Sequence, residues 1–230
     1  MILLFVFFLF IFLIYRFYKL KDFSNFTEES LNLESLNSGD LFLVTYESFL
    51  GKIFQTLGNL KFIHPAMVLK KDNETYILEF SRYSEDLNGL ILVPIRDWLK
   101  FNKRGKKYLN LLNLKKDYSN DIFNYYLENK ESFSKKNGNF INFLFPEVKD
   151  IKEKEKISCC EIILDIYYSL NILEKNIKIE KVYPEDFIDF EKFTFTNSNY
   201  FSKGLIVNNN QNILKNLFFC QKPNYRIINN

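Results

Sequence analysis

Lys61-Phe62-Ile63-His64-Pro65-Ala66-Met67-Val68-Leu69 is an apolar run with the chain's only histidine inside it. It follows Gly58-Asn59 and runs into Lys71-Asp72-Asn73-Glu74, whose composition is that of a turn. The spacing predicts a strand over 62–69 that folds back into a second strand over 75–81. With one imidazole in the chain, any step that needs one must use His64.

Downstream of that hairpin, strands are expected over 90–94, after Asn88-Gly89, and over 108–114. Upstream, Ser38-Gly39-Asp40 reads as a turn opening a strand over 41–46, and 47–57 has helical periodicity through Phe49, Leu50, Ile53, Phe54 and Leu57. Helices are expected over 118–133 and 159–173, with a short one over 27–36, a turn or short helix opening at 183–187 and a returning strand within 193–207. Short antiparallel strands set among helices define an α+β domain with a meandering sheet. The second decisive stretch is Ile157-Ser158-Cys159-Cys160-Glu161-Ile162-Ile163-Leu164, which puts thiols at a helix start. A thiol there has its pKa lowered by the helix dipole, and an imidazole can accept its proton.

Residues 1–14 are unbroken apolar sequence, followed by Tyr15-Arg16-Phe17-Tyr18-Lys19-Leu20-Lys21. Extended through Tyr18, with Arg16 snorkelling, a helix here approaches the hydrocarbon thickness of roughly 30 Å. No charged leading region and no small-residue cleavage site accompany it, so an uncleaved anchor is expected over a signal peptide. The basic flank lies on the C-terminal side, which puts the remaining domain on the cytoplasmic face of the bilayer. The expected organisation is an anchor over 1–20, a connector over 21–38, a folded domain over 39–207 and a tail over 208–230.

Two hundred and thirty residues, 47% hydrophobic and 26% charged, suffice for one domain with a core. A net charge of +3 without a basic stripe argues against a nucleic-acid partner. Three cysteines, two of them adjacent, do not make a disulfide framework. One histidine and no C-x-x-C pair leave no ordinary zinc ligand set, so neither metal nor cofactor is expected.

Three pieces stand in order: Ser38-Gly39-Asp40-Leu41-Phe42-Leu43-Val44; His64-Pro65-Ala66-Met67-Val68 with Ile77-Leu78-Glu79-Phe80; and Cys159-Cys160-Glu161-Ile162-Ile163 with Tyr183-Pro184-Glu185-Asp186-Phe187. Together they resemble the circularly permuted papain-like enzymes of the NlpC superfamily, in particular the YiiX/YaeF-like group, which has poxvirus members. Lecithin retinol acyltransferase is a more distant relative. The pattern is a G-D strand start, H-x-[AG], a hydrophobic-E pair, C-[SA]-E at a helix start and a P-x-D-[LF] turn. It covers roughly 39–187. Pro65 departs from it and, lacking an N–H, should sit at a strand end, bulge or unpaired edge. Cys160 stands where the group has Ser or Ala.

The resemblance implies a permuted papain-like fold and a thiol hydrolase or acyltransferase acting on an amide, ester or thioester. Matching C-[SA]-E makes Cys159 the nucleophile; the contiguous C-E of the acyltransferases would choose Cys160. Adjacent helical residues point about 100° apart, so only one can face His64. His64 is the base and Glu79 the residue expected to orient it. Asp40 is expected to bond backbone in its turn, Glu161 to cap its helix or pair with a base, and Cys220 to be structural. Anchoring points to a lipid or lipid-modified substrate, with a peptide substrate open, and to a cellular or viral membrane. The alternative is an inactive member serving as a membrane-tethered binding or virion-structural protein.

Overall fold

The computed structural model describes residues 7, 11, 28–29, 31–45, 55, 60–82, 88–101, 107–112, 114, 116–134, 137–138, 156–175, 182–197, 200 and 202–207. Its centre is a seven-stranded sheet in the order β1-β9-β6-β2-β3-β4-β5. These strands are β1 (Glu28–Glu29), β2 (Leu41–Val44), β3 (His64–Lys71), β4 (Glu74–Arg82), β5 (Asn88–Pro94), β6 (Lys107–Leu112) and β9 (Ser202–Val207). All neighbours are antiparallel except β1 and β9. A separate pair joins β7 (Asn137–Gly138) to β8 (Lys156–Ile157). The helices are α1 (Ile95–Phe101), α2 (Ser119–Ser134), α3 (Cys159–Ser169) and α4 (Asp186–Asp189).

Alternation along the strands divides the core in two. Leu41, Leu43, Met67, Leu69, Leu78, Leu90 and Leu92 face the layer of α2, α3 and α4. Phe42, Val44, Ala66, Val68, Ile77, Ile91 and Val93 face the other way, toward Trp98 of α1. The mixed α+β class and the antiparallel sheet on helices are therefore as expected. The β3–β4 hairpin turns through Asp72 and Asn73 with φ of 51° and 63° between paired Lys71 and Glu74. Two such residues make the tight primed turn that matches strand twist, and Asp and Asn tolerate it best after glycine. Pro65 lies in the first residues of β3, ahead of the β4 ladder that begins at Met67. Its missing N–H therefore interrupts nothing on that side.

Several expectations are corrected. Among the described residues of 27–36 no helix forms: Glu28–Glu29 pairs with β9, and Asn32 accepts the Glu34 N–H and the Ser35 hydroxyl. Short polar side chains offer the backbone non-helical partners, which outweighs weak periodicity here. The helix expected over 159–173 stops at Ser169, because Asn171 is left-handed at φ 54°. Within 193–207 the strand is confined to Ser202–Val207, with an isolated bridge between Leu173 and Phe195. α1, unforeseen, follows β5 with no intervening loop. The anchor over 1–20 lies outside the described residues except Phe7 and Ile11, both helical and exposed. The helix over 47–57 is described only at Gln55, and the tail with Cys220 lies outside. Among the described residues no helix is long and apolar enough to cross a membrane.

The Gly39-Asp40 turn locks the sheet to α3. Gly39 has φ 98°, and an added Cβ would lie 2.7 Å from Leu114 Cδ1. Its carbonyl accepts the Tyr167 hydroxyl at 2.8 Å. Asp40, fully buried, accepts the amides of Asn37 at 2.7 Å and Leu112 at 2.8 Å. Asp40→Ala would leave two donors unmatched and should cost about 2–4 kcal/mol in a urea titration at pH 5. Burial pushes this carboxyl up to about 6, above its ordinary value near 4. Its contribution is thus full below pH 4 and lost as pH rises through 6, so the penalty should shrink by pH 8. A pH-independent penalty would contradict this reading.

Candidate active site

Ser158 is extended at φ −100° and ψ 157°, which makes it the N-cap of α3. Its hydroxyl accepts the Glu161 N–H at 3.3 Å, and Glu161 Oε2 accepts the Ser158 N–H at 2.7 Å. This reciprocal box fixes the first turn, and Glu161 is occupied as a cap. Of the next two residues, Cys159 is half-buried and Cys160 is 2% exposed among the core side chains.

His64 is the first residue of β3. Val68 pairs with Ile77, so counting by twos puts His64 and Glu79 on one face of the sheet, diagonally across β3 and β4. His64 Nε2 and Glu79 Oε2 are 2.7 Å apart, and Trp98 Nε1 donates to the same oxygen at 3.0 Å. Glu79 is 1% exposed and Trp98 fully buried. The other ring nitrogen is Nδ1, and the Cys159 thiol acts on the same imidazole. His64 thus bridges two layers, its carboxylate on the α1 side and its thiol from the helix layer.

The charges follow from these contacts. The Cys159 thiol accepts a hydrogen bond from Cys160, which outweighs burial; with the His64 imidazolium beside it, the value falls to about 5. Burial works against a charged His64, but the Cys159 thiolate and then Glu79 outweigh it and push the ring up to about 10. Burial, then the neighbouring thiolate, push Cys160 well above an ordinary thiol. Between those values Cys159 and His64 stand as thiolate and imidazolium, and Cys160 stays protonated.

The structure therefore brings His64, Glu79 and Cys159 together and turns Cys160 into the core. Trp98 was missed by sequence reasoning; its being the only tryptophan was the available signal. An open groove of about 960 Å³ lies at the far end of β3 and β4, around Lys70, Asp72, Glu74, Arg96, Asp97 and Asp117. Its charges are of both signs, and it is remote from His64. Among the described residues no group of three or more His, Cys, Asp or Glu side chains could hold a metal ion.

No protein-family model matches the chain, and no curated protein matches it. Among solved structures, the metalloprotein YiiX from Escherichia coli O157:H7 is similar over 60% of this chain and 70% of that one. The identity is 16% and the TM-score 0.41.

Proposed function

We propose that the protein is a thiol hydrolase or acyltransferase that cleaves an amide, ester or thioester through Cys159 and His64. One observation carries this reading: a single imidazole lies between a buried carboxylate at 2.7 Å and a thiol at a capped helix start. Cys159 Sγ attacks the acyl carbonyl, and a C–S bond forms. His64 gives its Nδ1 proton to the leaving group as the scissile bond breaks. Water, or an acceptor hydroxyl or amine, then attacks the thioester, the neutral imidazole takes up its proton, and the C–S bond breaks to free the acyl product and restore the Cys159 thiolate. Glu79 acts through His64 as a positioning residue, and Trp98 holds Glu79.

In the first turn of α3 the amides of Ser158 and Glu161 are taken by the capping box. The Cys160 amide supports the Cys159 thiolate. The Cys159 N–H is then our candidate donor for the developing oxyanion. Anchoring through residues 1–20 would keep the site beside a bilayer, which favours a lipid acyl chain or a lipidated protein over a soluble peptide. The same resemblance and geometry support the permuted papain-like assignment.

The test is acyl trapping on the full chain. Incubation with a long-chain acyl thioester, then acid quench and peptide mapping, should add one acyl group at Cys159, removable by hydroxylamine and absent from Cys159→Ala. A short peptide amide should label far less. No acyl adduct on Cys159 with either probe would sink the enzymatic reading and favour the tethered binding protein.

A further inference from the structure

The geometry points to Glu185 as a positioning residue that holds the lead-in to His64 in register with α3, an inference that rests on the thiol–imidazole reading above. Glu185 Oε1 accepts the amides of both Lys61, in a short contact, and Phe62, at 3.0 Å, across more than 120 residues of sequence. The next amide, Ile63 N–H, donates to Val44 O at 3.0 Å. Three consecutive amides before His64 are thus fixed, two of them by one carboxylate. One carboxyl oxygen can accept both amides whether the group is ionised or protonated, so the clamp does not depend on its charge.

The segment that carries Glu185 is itself fastened. Asn110 Nδ2 donates to Phe187 O at 2.6 Å and to Ile188 O at 3.0 Å. Asp186 accepts the Tyr183 amide at 2.7 Å and pairs with Lys192 at 2.7 Å. Phe187 is fully buried. Glu185 Oε2 is buried with no hydrogen-bond partner among the described residues. A carboxylate in that setting is held for its geometry at a solvation cost, since burial and then the neighbouring Asp186 push it up to about 7. When ionised, its charge adds to the fields that keep the Cys160 thiol of α3 protonated. Glu185 bonds the histidine strand's lead-in, and two residues on, the Phe187 ring packs 6.5 Å from that of Tyr167 on α3, so one short segment ties the two together.

The experiment follows Cys159 alkylation against pH in the full chain, mapped by mass spectrometry, with His64→Ala beside the Glu185 variants. Glu185→Ala loses the clamp, and the Cys159 midpoint should rise by about one to two pH units, roughly a fivefold to fiftyfold loss of thiolate at the wild-type midpoint. Glu185→Gln still accepts both amides and should stay within about half a unit. If the alanine variant does not fold, Glu185→Asp serves: one methylene shorter, it cannot span both amides and should shift the midpoint likewise. Ala or Asp variants that titrate as the wild type does would overturn the inference, and so would a Gln variant shifted as far as Asp. A His64→Ala profile identical to wild type would instead remove the thiol–imidazole reading itself.

Discussion

Replacing His64 by alanine is expected to raise the midpoint of Cys159 alkylation from about 5 by at least two pH units. Cys159's folded value is depressed, so the thiolate is present above it and lost as pH falls through it. Without the imidazolium the thiolate keeps only the Cys160 thiol and the helix N-terminus beside it. The remaining rise toward an ordinary thiol near 8.5 is therefore partial. The midpoint is the right readout, because a more basic thiolate is also a better nucleophile and the two effects offset each other at one fixed pH. Cys160, buried and protonated, should stay slow in both proteins. An unmoved midpoint, or Cys160 reacting first, would assign the chemistry elsewhere.

Glu79→Gln should narrow the acyl-transfer pH profile from the alkaline side. The ion pair reading gives a bell with limbs near 5 and near 10, set by Cys159 and His64. Glutamine can still place an oxygen between His64 Nε2 and Trp98 Nε1, so the tautomer and packing survive. What it removes is a buried charge, and a charge-assisted hydrogen bond of this kind contributes about 1.5–3 kcal/mol. His64's raised value should therefore drop by about one to two units. Acyl transfer at pH 10 falls roughly fivefold to fiftyfold while the acid limb stays in place. An acid limb that moves instead, or a profile unchanged at both ends, would remove Glu79 from the site.

The site was legible where chemistry is scarce in the chain. A single histidine and a cysteine at a helix start left few pairings, and the diagonal from His64 to Glu79 follows from a hairpin whose turn was readable as Asp72-Asn73. The choice between Cys159 and Cys160 needed the helix's rotation, which the capping box sets and local sequence alone did not resolve. α1 escaped because seven residues directly after a strand show too little periodicity to mark a helix. Glu185 escaped for a different reason: its partners are the amides of Lys61 and Phe62, and a bond to backbone leaves no mark on which side chains stand there.

The hydrogen bond from Trp98 to Glu79 has a spectroscopic consequence. The protein has one tryptophan, so its whole indole emission arises from a ring whose N–H is bound to the carboxylate that also bonds His64. Fluorophore and site are separated by one carboxyl group. Excited at the red edge, where the chain's 14 tyrosines absorb little, the indole gives a single unlabelled band in which titration of the imidazole or acylation of the thiol can be followed.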